Sequence, residues 1–277
     1  MKADELDAAD AYCRRLAGRH YENFAVAAWF LPAPIRRDLA RLYAYCRTTD
    51  DLGDESPDAI ARLEAWQQQL LACFDSGAPD PLHPVLLAVR RMIESRNLPS
   101  APFVDLIGAN LQDQTVHQYE DWPALRDYCR LSAAPVGRLV LRIWDIADER
   151  ADALSDDVCI GLQLANFAQD VAVDRAKGRT YLLQSDVREA GINGATERMC
   201  GRAARLLASG RELEPMVPLR LRIQLSLYRL GGLAILDAIR RIGYRTDVER
   251  PHVSTATKLR LVPAAAAEAA HLQVVAA

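Results

Sequence analysis

Two acidic stretches, Asp50-Asp51-Leu52-Gly53-Asp54-Glu55 and Asp170-Val171-Ala172-Val173-Asp174, interrupt runs that are otherwise apolar. Each contains two aspartates four residues apart, Asp50/Asp54 and Asp170/Asp174. On a helix, positions i and i+4 share a face, so each pair aims two carboxylates the same way. Such a pair is mildly unfavourable unless a cation offsets the repulsion. Hard carboxylate oxygens suit Mg²⁺, which takes one or two of them and completes its octahedron with phosphate and water. The economical reading is two facing acidic helices that hold a diphosphate through magnesium.

The rest of the chain is compatible with that frame. Helical periodicity dominates, and no alternating strand pattern competes with it. From Pro34 to about Gly53, Leu39, Leu42, Tyr43 and Cys46 recur at three- and four-residue intervals. Ser56-Pro57 reads as N-cap and first helical residue of the next element, and Gly77 as its stop. Further helices are expected to start near Pro84, Ser100, Asp121, Ser155, Thr196 and Pro218. No Pro/Gly/Ser-rich linker divides the 277 residues, so a single all-α domain over 1–277 is expected. The alanine-rich tail 263–277 either adds a terminal helix or frays. Gly231-Gly232, inside a hydrophobic run, reads as a close helix contact.

Composition removes several function classes. A net charge of −3 implies no general polyanion affinity, and nucleic acid is not an expected partner. The six cysteines are scattered without a CxxC, which argues against a zinc site or disulfide framework and fits a reducing cytoplasm. No window reaches roughly 18 uninterrupted apolar residues, so no spanning helix is expected. Peripheral contact at the inner face of a membrane stays open. Dinucleotide, P-loop and nucleophile-elbow signatures are missing, so nothing suggests ATP use, a Rossmann domain or acyl transfer.

The acidic pairs extend upstream as polar stripes. Tyr43, Arg47, Asp50 and Asp54 fall in phase on one helix face, and Gln163, Asn166, Asp170 and Asp174 on another. A polar stripe ordinarily faces water. Here the flanking Tyr43-Ala44-Tyr45-Cys46 and Leu162-Gln163-Leu164-Ala165-Asn166-Phe167 are too apolar for a plain exposed face, which favours stripes that line a cavity. Arg19, Arg47, Arg179 and Arg250 lie on or beside these stripes, and guanidinium binds phosphate oxygens in pairs. In an arginine-rich chain any one of them is, taken alone, as readily a solvated surface residue. His20, taken alone, reads as a packed core histidine.

At these residues the chain resembles the squalene/phytoene synthase family, and within it the bacterial hopanoid-pathway branch of squalene and hydroxysqualene synthases. The likeness spans roughly residues 12–260. It is carried by His20-Tyr21-Glu22-Asn23-Phe24 with Trp29-Phe30-Leu31-Pro32, and by Tyr43-Ala44-Tyr45-Cys46-Arg47-Thr48-Thr49-Asp50-Asp51. Tyr128-Cys129 with Pro135-Val136-Gly137, the run Gln163 to Asp174, and Gly178-Arg179-Thr180-Tyr181-Leu182 complete it.

The resemblance implies an all-α isoprenoid-synthase fold with a central cavity between the acidic helices. It assigns magnesium to Asp50, Asp54, Asp170 and Asp174, with Asn166 in support. Arg19, Arg47, Gln163, Asn166, Arg179 and Arg250 are implied on the substrate side, and His20, Tyr43, Arg47, Tyr128 and Tyr181 near the chemistry. The implied reaction converts presqualene diphosphate to hydroxysqualene without NADPH, in coupling with other hopanoid-pathway enzymes. Condensation of two farnesyl diphosphates to presqualene diphosphate, squalene or dehydrosqualene stays open, as does condensation of two geranylgeranyl diphosphates to phytoene. A chain-elongating prenyltransferase, a terpene cyclase and a non-catalytic scaffold are the remaining alternatives.

Overall fold

A computed structural model describes residues 3–19, 30–75, 77, 79–81 and 83–275. Among these the regular structure is helical: α1 (Ala3–Arg19), α2 (Ala33–Asp54), α3 (Ala59–Ala72), α4 (Pro84–Arg96), α5 (Ala101–Gln112), α6 (Trp122–Ser132) and α7 (Ala134–Ile143). They are followed by α8 (Glu149–Gln169), α9 (Val171–Ala176), α10 (Gln184–Leu213), a 3-10 turn (Glu214–Met216), α11 (Leu219–Arg241) and α12 (Thr255–Val275). A lone parallel bridge, Gln118 with Thr180, is the extended pairing found among the described residues. The chain forms two compact units, Met1–Thr115 with Arg138–Ala147, and Val116–Gly137 with Asp148–Ala277.

In the first unit α2 packs against α1, α3, α4 and α5. Its buried side is set by Tyr45, which stacks on Trp66 (centroids 6.1 Å) and meets Phe103 edge-on (5.2 Å). The Tyr45 hydroxyl donates to the Phe103 carbonyl (2.8 Å), and Trp66 Nε1 donates to Thr49 Oγ1 (3.0 Å). This is how aromatic residues with a polar handle are buried without leaving that handle unsatisfied. A buried charge network ties α1 to α2: Arg41 grips Asp10 through Nε (2.7 Å) and Nη2 (2.8 Å) and reaches Asp38 (3.1 Å).

In the second unit α8 packs on α6, α10 and α11, and α11 on α12. Small residues set the approach. A side-chain carbon at Gly161 would lie 3.1 Å from the Leu207 backbone nitrogen, and one at Gly232 would lie 2.9 Å from Leu162 and from Leu207. Gly232 thus makes the close contact expected of the Gly231-Gly232 pair, whereas Gly231 has open space beside it. Arg229, fully buried, pairs with Glu214 (2.9 Å) and with Glu268 of α12.

Several expected boundaries are corrected. α3 starts at Ala59 rather than at Ser56-Pro57, and ends at Ala72, before Gly77. α8 begins six residues before Ser155, because the Asp148 side chain accepts from the Ala151 amide (2.8 Å) and caps it there. α10 is divided by a non-helical Gly191 (φ 69°), and its second part resumes at Ile192, four residues before the expected start near Thr196. The tail continues as helix through Pro263 to Val275, with Ala265 and Ala269 fully buried.

Candidate functional site

The first acidic stripe forms on the last three turns of α2, opposite Tyr45 and Thr49. Tyr43, Arg47 and Asp51 are half-buried, while Asp50 and Asp54 reach solvent. Carboxylates at a helix C-terminus oppose the helix dipole, and no basic residue occupies this last turn. Arg47 answers part of the charge: its Nη2 lies 2.6 Å from Asp51 and 3.7 Å from Glu55. Its Nε is buried and finds no acceptor. A buried guanidinium donor left unpaired is costly, and an anionic oxygen would satisfy it.

Asp50 is the most perturbed group of the stripe. Surrounding protein raises its carboxyl from the ordinary 3.8 to about 6, Asp54 and Asp51 push in the same direction, and an amide from Asn110 (3.2 Å) with Arg47 pulls it back. Asp50 is nonetheless open to solvent. Both observations hold for a carboxylate that touches water while protein crowds it from the sides. Tyr43, one helix face with it, is likewise raised, first by burial and then by Asp50 and Asp51 against Arg47.

The second stripe lies on α8 and α9, and its helix is not continuous. Asp170 leaves helical geometry (φ −101°, ψ 19°) and separates the two. The rungs around it persist: the Asp170 amide donates to the Asn166 carbonyl (2.9 Å) and the Asp174 amide to the Asp170 carbonyl (2.8 Å). The Ala172 amide turns instead to the Thr246 carbonyl (3.2 Å), and Gln169 Nε2 donates to the Pro251 carbonyl (2.7 Å). The segment after α11 therefore straps the break. From it Arg250 takes Asp170 in a two-point grip, Nε to Oδ1 at 2.5 Å and Nη2 to Oδ2 at 3.3 Å. Asn166 is exposed, and Gln163, Asp170, Asp174 and Arg179 are half-buried.

Tyr128 and Tyr181 come together in the second unit with two rings that sequence reading did not group with them. Phe167 lies flat on Tyr181 (3.8 Å, 7°), and Tyr119 stacks on Tyr181 (5.9 Å) and leans on Tyr128 (5.3 Å). Tyr119 arrives there because the segment before α6 runs beside the one after α9: the Thr180 amide donates to the His117 carbonyl (2.7 Å) and the Gln184 amide to the Tyr119 carbonyl (2.9 Å). No local signal marks Tyr119, since the pairing is tertiary. His20 and the side chain of Arg19 lie outside the described residues.

The donor set fits magnesium. The α2 stripe offers carboxylate oxygens and the α8–α9 stripe carboxylate oxygens with an amide oxygen, neither with thiolate or imidazole, and on α2 burial and then like charge perturb Asp50. Among the described residues no three acidic, histidine or cysteine side chains form a ready-made cage. No helix among the described residues is long and apolar enough to cross a membrane.

The squalene/phytoene synthase family model matches residues 17–257. A hydroxysqualene synthase of Rhodopseudomonas palustris is 36% identical over 176 residues, covering 61% of this chain and 58% of the relative. This chain therefore spans little more than half of that relative's length. A hydroxysqualene synthase of Zymomonas mobilis is 31% identical over 240 residues, covering 83% of this chain and 76% of the relative. The crystal structure of squalene synthase HpnC from Alicyclobacillus acidocaldarius superposes with a TM-score of 0.81 at 43% identity, over 88% of this chain and 97% of that one.

Proposed function

Because this chain belongs to the squalene/phytoene synthase family, we propose that it is a head-to-head isoprenoid synthase that expels diphosphate from presqualene diphosphate and yields hydroxysqualene. The observation that carries the reading is the pair of in-phase stripes, each with acids and a guanidinium: Asp50, Asp54 and Arg47 on α2, and Asp170, Asp174 and Arg250 around the α8–α9 break. In this reading chain 1–277 is one all-α domain, and each stripe engages diphosphate through magnesium.

Asp50 and Asp54 would hold magnesium at the first stripe, and Asp170, Asp174 and Asn166 at the second. When bound, the metal supplies Lewis-acid neutralisation of the leaving diphosphate. Arg47 contributes its unsatisfied Nε to a diphosphate oxygen, where negative charge grows as the C–O bond breaks. Arg19, Gln163 and Arg179 bind the remaining oxygens, and Arg250 reaches them by giving up Asp170. Tyr43, Tyr128 and Tyr181, the last two backed by Phe167 and Tyr119, offer ring faces that stabilise a nearby cation by roughly 0.5–2 kcal/mol. His20 orients the incoming water or the leaving group. The chain acts in the cytoplasm, in peripheral contact with the inner membrane face, where neighbouring hopanoid-pathway enzymes handle equally apolar substrates.

The likeness to HpnC, a protein named as a squalene synthase, favours a second reading, in which two farnesyl diphosphates are joined and carried to squalene. One experiment separates the two. Purified protein with Mg²⁺ is given either presqualene diphosphate or farnesyl diphosphate, without NADPH, and products are identified by mass spectrometry. Hydroxysqualene from presqualene diphosphate alone supports the first reading, and presqualene diphosphate made from farnesyl diphosphate supports the second. Failure to release diphosphate from either, with Asp50→Asn binding substrate as well as wild type, refutes both.

A further inference from the structure

α5 ends beside the acidic end of α2, and the contact between them is built from residues outside either stripe. Asn110 Nδ2 has two hydrogens and two acceptors, Asp50 Oδ1 at 3.2 Å and the Leu106 carbonyl at 3.1 Å. The carbonyl can only accept, so the amide is oriented with nitrogen toward Asp50. Its other end lies against Gly53: a side-chain carbon there would sit 2.7 Å from Asn110 Oδ1. One turn on, Gln114 Nε2 donates both to the Gly53 carbonyl (3.2 Å) and to the Asn110 carbonyl (3.0 Å). Gln114 thus joins carbonyls in the last turns of two helices, where intrahelical donors run out.

The consequence for Asp50 is geometric. A carboxylate on the end turn of a helix rotates freely unless something fixes it. Here one oxygen is held by a donor that is itself locked at both ends, which leaves the other oxygen in one direction for a cation. Partners that orient a metal ligand in this way affect metal affinity nearly as much as the ligand does. We infer that Asn110, seated by the absent side chain of Gly53 and by Gln114, is a positioning residue that presents Asp50 to the divalent cation. The inference rests on the reading of Asp50 as a metal ligand.

Isothermal titration of MgCl₂ into protein with inorganic pyrophosphate tests it, with thermal melts as a control on folding. Asn110→Leu keeps the volume and removes the donor. Gly53→Ala leaves both polar groups in place but pushes the amide aside, and it serves if Asn110→Leu does not fold. Both variants are expected to bind Mg²⁺ about tenfold more weakly than wild type. In an Asp50→Asn background, Asn110→Leu should add little, because the group it positions has lost its charge. Wild-type affinity in both variants, with Asp50→Asn weakened, overturns the inference and leaves the metal reading standing. An equal loss from Asn110→Leu in both backgrounds also overturns it, as a merely structural effect. If Asp50→Asn binds Mg²⁺ like wild type, the metal reading itself is what fails.

Discussion

Asp50→Asn should make the metal-free protein more stable while weakening what it binds. Burial and neighbouring acids hold the folded-state carboxyl at about 6 against an ordinary 3.8. Between those values the folded protein binds more protons than the unfolded chain, so stability falls as pH rises from about 4 to about 6 and stays lower above. The displacement corresponds to at most ~3 kcal/mol. Asp50 is in contact with water, so screening leaves on the order of 1 kcal/mol.

Asparagine has the same shape and no charge, and its amide oxygen can still accept from Asn110. In EDTA at pH 7.5 the variant should therefore melt about 2–4 °C above wild type. Near pH 4 the difference should vanish. With Mg²⁺ and inorganic pyrophosphate the order should reverse, since the ligand raises only the protein that binds it. Differential scanning calorimetry over pH 4–8, with and without ligand, checks all three. A variant no more stable than wild type at pH 7.5, or a gap that does not change with pH, refutes the reasoning.

Arg250→Gln should free Asp170 from its two-point ion pair and so raise Mg²⁺ affinity in the absence of diphosphate by about fivefold. The same change should cut turnover by roughly a hundredfold through loss of a diphosphate contact; titration calorimetry and steady-state kinetics read the two effects separately. Arg229→Met should cost about 3–5 kcal/mol in urea denaturation by stranding the buried Glu214 carboxylate, with Glu214→Gln restoring part of it. Gly137→Ala places a carbon 2.3 Å from Ser155 Oγ and 2.6 Å from Cys159 Sγ. It should destabilise by about 1–3 kcal/mol on the same denaturation curve, and Ser155→Ala should relieve part of that.

The helical class, the extent of α2 and the phase of its stripe were legible in the chain, because side chains four residues apart meet through the local 3.6-residue repeat. The Asp148 cap of α8 is legible too, as an acid three residues before the amide it caps, and it sets the start ahead of Ser155. The early end of α3 and the interruption of α10 at Gly191 are backbone choices that several local patterns allow equally well. What periodicity alone determined is that Asp50 and Asp54 share a direction on α2, whereas the non-helical Asp170 breaks the helix on which Asp170 and Asp174 were expected. How those carboxylates are held was decided by groups far along the chain: Asn110 sixty residues from Asp50, Arg250 eighty residues from Asp170, and the Thr246 carbonyl that takes the Ala172 amide. Hydrogen bonds and ion pairs of that separation exist only after helices have packed, and no short stretch of residues encodes them.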